Sequence, residues 1–441
     1  MALLEIDRAL IRDSYYAATA PRTQSFAPLQ GDGGSCDVAV IGGGLAGLSA
    51  AIELRQRGFD VALLEADEVG AGASGRNGGQ AIHGLACDPA GIEAQLGMEE
   101  ARRIFAMTIE ALDLIRGRCA RFDIDCDWRD GYLGVATSAR KARRLLADAE
   151  HLAAKYDYPM HRIESKDLPS WIASPRYVAG VHDPRSGHLH PLKYTLGLAR
   201  AAAALGVRLH EQIAVLRVEK GNDSLTLHGA GGTRLRARQL LLAGNVYLQE
   251  LAPAVAPQLA ARIMPVGTYI VASRPMRAEQ AAALIPCGAA VCDNNFVLDY
   301  FRTTADHRLL FGGRVSYSTS TPGNLRESMQ RRMVATFPQL QGSEVEYAWG
   351  GFVDISMNRA PDFGRLPGWG GQVYYLQGFS GHGLALSGLA GKLVAEAMAG
   401  DATRFDVFAR LKHRPFPGGR ALRTPALVLG MAYHRIKDLL S

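Results

Sequence analysis

The chain has 441 residues, of which 48% are apolar and 21% charged, and its formal net charge is +6. These values are typical of a globular protein with a large core and about three domain-sized units. No apolar run approaches the roughly 20 residues that cross a bilayer, and the basic residues are not interleaved with aromatic ones, so the sequence argues against both membrane spanning and nucleic-acid binding.

The chain ends and the cysteines bear on localisation. The first 30 residues contain charged side chains and no apolar stretch, so we expect no secretory signal. Six cysteines lie scattered without a Cys-x-x-Cys pair, which favours free thiols in a reducing cytoplasm over a disulfide frame or a zinc site. Basic residues accumulate between 413 and 437; this indicates a solvated tail, with peripheral contact to an anionic membrane surface as the alternative.

The first strong signal is the segment CDVAVIGGGLAG at 36–47. It predicts a short buried strand followed by a helix that begins near Leu45. In such a unit Gly42 permits the tight turn, Gly44 lets the backbone approach a pyrophosphate, and Gly47 lets the helix pack closely on the strand. The unpaired N–H groups at the helix start would then face the phosphates.

A carboxylate supports this interpretation. Glu65 ends a second apolar run, DVALLE, near the spacing at which an acidic residue binds ribose hydroxyls. The alternative is a Gly-rich turn in another kind of α/β protein. Strand, glycines, helix and carboxylate together favour a dinucleotide-binding βαβ unit.

Further elements follow along the chain. Helical spacing over 91–122 and 138–156 predicts two amphipathic helices, and residues 131–137 between them are strand-like. Residues 190–206 predict another helix. The strands that follow, up to Gly244, return the chain to the nucleotide-binding domain.

The later part of the chain predicts a second sheet and a second phosphate-loop unit. Residues 263–273 and 296–313 alternate as in an antiparallel sheet, which we expect to form a substrate-facing domain. Residues 371–400 are typical of a strand, a Gly-rich loop and a helix.

Three glycine-rich loops, at 42–47, 72–79 and 378–383, favour FAD over a nicotinamide dinucleotide, because a cofactor enclosed along its whole length can use all three. In the last loop Ser380 and His382 precede a helix, whose N-terminal end can stabilise negative charge on a reduced flavin. A hydrogen-bonded structural histidine is the alternative for His382.

These motifs resemble the D-amino-acid oxidase superfamily of FAD-dependent amine oxidoreductases, and within it the bacterial γ-glutamylputrescine and γ-glutamylpolyamine oxidases. The segments that carry the resemblance cover nearly the whole chain: SYYAATA (14–20), CDVAVIGGGLAGLSAA (36–51), LLEADEVGAGASGRNGGQ (63–80), FDIDCDW (122–128), SGHLHPLKY (186–194), LLAGNVYL (241–248), LDYFRTTADHRLLFGGRVSY (298–317), GFSGHG (378–383) and RPFPGGRALRTP (414–425).

The resemblance implies an α/β (α+β) fold with a Rossmann-like FAD-binding domain and a discontinuous substrate domain built on an antiparallel sheet. The expected ranges are a lead at 1–30, the FAD-binding domain at 31–90, 175–246 and 345–403, the substrate domain at 91–174 and 247–344, and a basic extension at 404–441. The residues expected to contact FAD are Gly42, Gly44, Leu45, Ala46, Gly47, Glu65, Ala66, Ser74, Arg76, Asn77, Gly78, Gly79, Gln80, Val215, Ala243, Gly244, Gly378, Ser380, Gly381, His382, Gly383 and Leu384.

One departure from the superfamily concerns the substrate. Amino-acid oxidases of this superfamily often carry Trp-x-Gly-Leu-Arg, whose arginine binds the substrate carboxylate. Here Val353 stands in the place of that arginine, in Trp349-Gly-Gly-Phe-Val. Loss of a bidentate, charge-assisted contact argues against a simple α-amino acid and for a terminal aminoalkyl group. Arg359 lies nearby in sequence, so a displaced clamp is the alternative.

The expected chemistry requires a neutral amine. Deprotonating an alkylammonium with a pKa near 10.4 costs about 4.6 kcal/mol at pH 7, and an apolar pocket lowers that cost. Tyr269, Tyr300 and His83 are candidates for this pocket, with ordinary packing as the alternative for each, and His382 is the fourth active-site candidate. No residue is required to act as a general base.

A metal site is not expected. Asp183, His188 and His190 form a loose set of potential ligands, but Pro184 and the glycine and proline that follow favour a turn.

The leading hypothesis is therefore FAD-dependent oxidative deamination of an amine in a bacterial cytoplasm. The expected substrate is the terminal amine of a γ-glutamylated polyamine such as γ-glutamylputrescine, with an aldehyde, ammonia and, when oxygen is the acceptor, hydrogen peroxide as products. The alternatives are a secondary-amine or D-amino-acid dehydrogenase that passes electrons to a quinone, and a non-catalytic flavoprotein subunit. The sequence does not indicate an oligomeric state.

Overall fold

A computed structural model describes residues 14–295, 297–316 and 323–417, without the side chains of 314 and 316. The strands in this part of the chain are β1 Asp32–Ile41, β2 Val61–Leu64, β3 Gln80–Ala81, β4 Arg129–Ala136, β5 His161–Ile163, β6 Ala179–His188, β7 Arg208–His210, β8 Val215–Lys220, β9 Leu225–Gly229, β10 Arg234–Leu242, β11 Ile263–Ser273, β12 Ala290–Asp293, β13 Tyr300–Thr303, β14 Leu309–Ser316, β15 Val345–Ser356, β16 Asp362–Arg365 and β17 Val373–Gln377. The helices are α1 Tyr15–Thr19, α2 Leu45–Gln56, α3 Pro89–Leu96, α4 Met98–Phe122, α5 Ala139–Tyr156, α6 Pro191–Ala204, α7 Leu248–Leu251, α8 Pro257–Ala260, α9 Ala278–Leu284, α10 Leu325–Thr336, α11 Gly383–Met398 and α12 Thr403–Ala409.

The first sheet is the nucleotide-binding sheet that the glycine motif predicts. Its strand order is β16-β17-β10-β1-β2-β7, and the hairpin β8–β9 joins it through β9 on β10. The five strands from β17 to β7 are parallel, and β16 is antiparallel at one edge. Parallel strands are buried on both faces, which explains why Val61–Leu64 is apolar throughout.

Close helix packing covers one face of this sheet. Helix α2 follows β1 directly, and α11 packs on α2 although more than 300 residues separate them in sequence. The contact depends on Gly391: a Cβ there would lie 2.5 Å from the Ala46 carbonyl oxygen. Ser49 donates a hydrogen bond to the Gly388 carbonyl across the same interface.

The second sheet is larger and mostly antiparallel. Its order is β15-β11-β14-β13-β12-β4-β6-β3, with β5 on β6. The exception is β12, which pairs with β4 in parallel; the long chain segment between them allows the crossover that a parallel pair requires. Helix α10 packs against one face of the sheet, and its Met329 and Met333 are buried there. This confirms a Rossmann-like domain combined with a second, sheet-based domain.

The strand pairing differs from the predicted domain ranges at three places. The short strand β3 lies in the range 31–90 but pairs with β6 in the second sheet. Strands β6 and β15 pair within the second sheet, whereas the ranges 175–246 and 345–403 place them in the FAD-binding domain. The composition of a strand does not specify its partner, and here the partners β4 and β11 lie far away in sequence. The chain crosses between the two sheets as many times as the predicted ranges imply, and only the positions of the crossings along the chain differ.

The turn predicted around Asp183 and Pro184 is wrong, because these residues belong to β6. Strand β6 pairs with β4, and the register of this pairing shifts between Asp130 and Tyr132 of β4. This irregularity accommodates Pro184. The extension predicted at 404–441 begins with α12, and its residues from 418 onward lie outside the described residues, as does the possible membrane contact assigned to them.

Candidate cofactor and substrate site

A cavity of about 890 Å³ extends between the two sheets. One end lies at the carboxyl ends of β1, β2 and β10, where parallel α/β sheets bind their ligands. The other end reaches the face of the second sheet formed by β11, β14 and β15. The same cavity therefore extends from the nucleotide-binding loops to a wall that the second sheet forms.

The glycine loop after β1 leaves room for a ligand to approach the backbone. Gly42 has φ +113°, and a Cβ there would lie 2.5 Å from the Ala243 carbonyl oxygen, so only glycine fits. Gly44 faces Ser74, whose Oγ accepts a hydrogen bond from the Leu45 N–H at 3.0 Å. A Cβ on Gly44 would lie 2.7 Å from that oxygen. This cradle fits the pyrophosphate of a dinucleotide at the start of α2.

Glu65 lies beside the same loop, as its spacing predicts. Its two carboxylate oxygens accept hydrogen bonds from the Gly43 N–H at 2.6 Å and the Asp67 N–H at 2.9 Å. Burial raises the pKa of Glu65 above its ordinary value, and these two hydrogen bonds oppose that shift. The carboxylate is thus fixed at the edge of the cavity, where ribose hydroxyls can reach its remaining lone pairs.

The second glycine loop is held in place by buried arginines. Arg76 donates to the Gly350 carbonyl at 3.1 Å, and Trp349 donates from Nε1 to the Arg76 carbonyl at 3.0 Å. On the other side of the loop Arg302 donates to the Gly78 carbonyl at 2.9 Å. These contacts tie the loop to the second sheet, and they place buried positive charge behind it.

The third glycine loop is held by a carboxylate that the sequence did not identify as functional. Asp354, at the end of β15, accepts a hydrogen bond from the Gly378 N–H at 2.5 Å, and its carbonyl accepts one from the Ser380 N–H at 3.0 Å. Burial raises the pKa of Asp354 to about 7. A carboxyl group that titrates near neutral pH thus supports the loop from which α11 begins.

His382 lies in this third loop and is neutral. Its Nε2 donates to the His83 carbonyl at 2.9 Å, and desolvation lowers the pKa of His382 to about 4. His382 also lines the cavity. It can therefore act as a hydrogen-bonded structural residue and also face a bound flavin.

The wall on the second sheet is apolar. Apolar residues of β11, β14 and β15 line the cavity, and they form a cluster with Phe416 from the segment after α12. The members of this apolar wall are Met264, Val266, Val315, Val353, Ile355 and Phe416. Val353 therefore faces the cavity.

Most of the residues predicted to contact FAD line this one cavity. They are Gly42, Gly44, Leu45, Ala46, Glu65, Ala66, Ser74, Arg76, Asn77, Gly78, Gln80, Val215, Ala243, Gly244, Ser380, Gly381, His382, Gly383 and Leu384. Gly47, Gly79 and Gly378 lie behind its wall: a Cβ on Gly47 would lie 2.0 Å from the Gly42 carbonyl oxygen, and one on Gly79 would lie 2.2 Å from the Leu189 carbonyl oxygen. These glycines permit close backbone packing and do not line the cavity.

The candidates for the substrate pocket have different outcomes. Tyr300 lines the cavity, with its ring against Gly78 and Gly312. Tyr269 does not line it: the strand alternation that points Thr268 into the cavity turns Tyr269 into the apolar core on the other face of the sheet. Its assignment to the pocket is therefore wrong.

His83 lies just behind the cavity wall and does not line it. Its Nδ1 is 2.7 Å from Asp183 Oδ2, and Ser186 also bonds that carboxylate. Burial favours the neutral acid, but the hydrogen bonds from His83 and Ser186 hold the pKa of Asp183 below its ordinary value. The contact between His83 and His382 makes His83 a support for the third glycine loop.

A second buried carboxylate, Asp293, also reaches the cavity without a signal in the sequence. Asp293 accepts hydrogen bonds from the N–H groups of Asn295 and Asp299, both at 3.1 Å. Burial and the neighbouring Asp299 raise the pKa of Asp293 to about 6. Only the fold brings this residue to the site, because it ends a short strand with no glycine motif beside it.

Neither a metal site nor a membrane-spanning helix is found among the described residues. The described residues contain no group of three or more histidine, cysteine, aspartate or glutamate side chains arranged to hold a metal ion. Asp183, His188 and His190 each bond elsewhere in the protein. Among the described helices, none combines the length and the apolar character needed to cross a bilayer.

Comparison with known proteins gives a consistent result. The family model DAO, FAD dependent oxidoreductase, matches residues 37–397. The γ-glutamylputrescine oxidoreductase of Escherichia coli is 40% identical over 427 residues, which are 97% of this chain and 98% of that protein. A probable oxidoreductase OrdL of Haemophilus influenzae is 37% identical and covers 96% of this chain and 97% of its own length.

Solved structures share the fold. Glycine oxidase from Geobacillus kaustophilus aligns with a TM-score of 0.71 and 21% identity, and the alignment covers 86% of this chain and 99% of that one. L-Proline dehydrogenase from P. horikoshii aligns with a TM-score of 0.68 and 20% identity, covering 84% and 93% of the two chains. At these identities the likeness shows the fold alone.

Proposed function

The chain belongs to the DAO family of FAD-dependent oxidoreductases, and we propose that it oxidises the terminal amine of a γ-glutamylated polyamine such as γ-glutamylputrescine. The products would be an aldehyde, ammonia and, with oxygen as acceptor, hydrogen peroxide. The observation that carries this proposal is the apolar wall at Val353, because it removes the position from which a cation would bind a carboxylate next to the reacting carbon. The full-length similarity to the γ-glutamylputrescine oxidoreductase supports the same substrate class.

The residues of the three glycine loops are available to hold FAD along the cavity. The N–H groups at the start of α2 would bind its pyrophosphate, Glu65 its ribose, and the loop before α11 its ring. Bound FAD supplies the capacity to take two electrons from the carbon–nitrogen bond of the amine. The chain's own contribution is to orient the amine and to keep water from the bond being oxidised.

The apolar wall also favours the reactive form of the substrate. An alkylammonium that enters from water must lose a proton, at a cost of about 4.6 kcal/mol at pH 7 for a pKa near 10.4. Val266, Val353 and Phe416 disfavour the charged form by desolvation. Asp354 and Asp293 line the same cavity, and a carboxyl group whose pKa is raised toward neutral pH can hold or release a proton.

The electron acceptor distinguishes the main proposal from its alternative. An oxidase reduces oxygen to hydrogen peroxide, whereas a secondary-amine or D-amino-acid dehydrogenase of this fold passes electrons to a quinone. We propose oxygen as the acceptor and a bacterial cytoplasm as the location. The six cysteines, all free thiols, support a reducing compartment.

The test is an anaerobic screen of amines against the purified flavoprotein, read as loss of flavin absorbance. We expect γ-glutamylputrescine to bleach the flavin faster than putrescine, glycine, proline or D-alanine, and admission of oxygen to release hydrogen peroxide. Bleaching by an amino acid, with reoxidation only by a quinone, would establish the alternative. A yellow protein that no amine bleaches would indicate a non-catalytic flavoprotein subunit.

A further inference from the structure

We propose that Arg359 binds the α-carboxylate of the γ-glutamyl group, so that the substrate is recognised at the end remote from the amine that reacts. This inference rests on the proposed function, because it assigns one residue to one part of that substrate. Arg359 lines the same cavity as the glycine loops, but its side chain is exposed to solvent, and Met357 beside it is 50% exposed. Arg359 thus lies where the cavity opens.

Among the described residues, two arginines and no lysine line the cavity. Arg76 is only 6% exposed and donates to the Gly350 carbonyl between the second glycine loop and β15. It is enclosed, and its position is set by the backbone that surrounds it. A carboxylate that stays near solvent while an aminoalkyl chain extends inward would therefore meet Arg359.

Hydrogen bonds hold the backbone around Arg359, which suits a binding residue. The Arg359 N–H donates to the Ser356 carbonyl at 3.1 Å and closes a turn directly after β15. Asn358 fastens this turn: its Oδ1 accepts from the Ala360 N–H at 3.2 Å, and its Nδ2 donates to the Lys412 carbonyl at 3.0 Å. Arg359 itself has φ +59°, an uncommon conformation for arginine that these contacts maintain.

The separation along the wall fits the substrate. Val353 and Ser356 are three residues apart in β15, which corresponds to about 10 Å in a strand, and the turn and the arginine side chain extend beyond that point. In γ-glutamylputrescine nine bonds separate the reacting carbon from the α-carboxylate carbon. An extended polypeptide covers about 3.5 Å with every three bonds, so nine bonds span about 11 Å.

The chemistry between the two ends is also complementary. The aminoalkyl chain of the substrate would lie over Val353, Ile355 and Phe416, which are apolar. The charged α-carboxylate would lie at the rim, where a guanidinium can form two parallel hydrogen bonds with it. The wall therefore sets a minimum distance between amine and carboxylate, and it selects against α-amino acids, in which one carbon separates them.

The experiment compares two substrates in the holoenzyme and in three variants. The substrates are γ-glutamylputrescine and N-butanoylputrescine, which keeps the amide and the amine but lacks the carboxylate. The variants are Arg359→Ala, Arg359→Lys and, as a matched control, Arg331→Ala, which removes the same charge from an exposed position on α10 outside the cavity. A second measurement uses γ-glutamyl-n-butylamide, which has no amine to oxidise, and determines its Kd from the change in the flavin spectrum.

We expect Arg359→Ala to lower the preference for γ-glutamylputrescine over N-butanoylputrescine about tenfold in kcat/KM, through KM, and to weaken γ-glutamyl-n-butylamide binding by a similar factor. Arg359→Lys should recover part of both effects, and Arg331→Ala should resemble the wild type. The inference is overturned if Arg359→Ala leaves both the preference and the Kd unchanged, or if it affects the two substrates equally. If the wild type does not oxidise γ-glutamylputrescine, the proposed function fails, and the Kd series still decides whether Arg359 binds the γ-glutamyl group.

Discussion

Replacing Asp354 with asparagine should make the stability of the protein less dependent on pH. Asp354 is fully enclosed at the third glycine loop, and burial raises its pKa from 3.8 to about 7. Because the folded pKa lies above the unfolded one, the folded protein keeps the proton that the unfolded chain releases. This carboxyl group therefore lowers stability progressively as the pH rises from about 4 to about 7, and it has no further effect above that range.

The size of the effect follows from the shift. From pH 5 to pH 7 the pH rises by two units within this range. At 1.36 kcal/mol per unit, the free energy of unfolding falls by about 3 kcal/mol. Unfolding entropy of about 2.1 cal/mol/K per residue gives about 0.9 kcal/mol/K for a chain of this length. The wild type should then lose about 3 °C more in Tm than the asparagine variant when the pH is raised from 5 to 8. The asparagine oxygen can still accept the Gly378 hydrogen bond, so the loop keeps its support.

The assay is thermal unfolding of the holoprotein with excess FAD at several pH values, so that loss of cofactor does not contribute. Asp223→Asn is the control, because it removes an exposed carboxylate from the loop between β8 and β9. Parallel Tm curves for wild type and Asp354→Asn from pH 5 to pH 8 would refute the assignment of a raised pKa to this residue.

Three other substitutions test the remaining parts of the site. Gly42→Ala should give protein with less than half the bound flavin, measured as the ratio of flavin to protein absorbance, because its Cβ would lie 2.5 Å from the Ala243 carbonyl oxygen; full flavin content would contradict this. Val353→Arg should increase turnover of small α-amino acids and decrease that of γ-glutamylputrescine in steady-state assays, and unchanged kinetics on both would refute the proposed role of the apolar wall. Arg302→Met should lower the free energy of unfolding by about 2–5 kcal/mol in denaturant titrations, because it leaves buried acceptors such as the Gly78 carbonyl without a donor; a loss below about 1 kcal/mol would be inconsistent with this.

The glycine loops could be predicted from the sequence because their function depends on local backbone geometry. Gly42 and Glu65 lie within one βαβ unit, so their spacing in sequence fixes their spacing in space. The same holds for the loop before α11, where strand, glycines and helix follow one another. Motifs of this kind can be recognised in a sequence without knowing which strands pair.

The second wall of the cavity could not be predicted in the same way. Tyr269 and Thr268 are adjacent, and the face that each one occupies depends on which side of β11 meets the other domain. Asp354 and Asp293 became visible only when the fold placed strand ends beside the cavity. Phe416 comes from a segment with no regular structure, and its contact with the wall depends on a hydrogen bond from its N–H to the Ala261 carbonyl at 2.7 Å.

The packing of α11 against α2 has a consequence for biosynthesis. Strand β10 pairs with β17, and α2 packs against α11 at Gly391. Both β17 and α11 come late in the chain. A nascent chain that has emerged from the ribosome only as far as Val373 therefore lacks β17, which pairs with β10, and α11, which packs on α2. Until nearly the whole polypeptide has been translated, its amino-terminal βαβ unit keeps apolar surface exposed, and such surface on an incomplete chain favours aggregation.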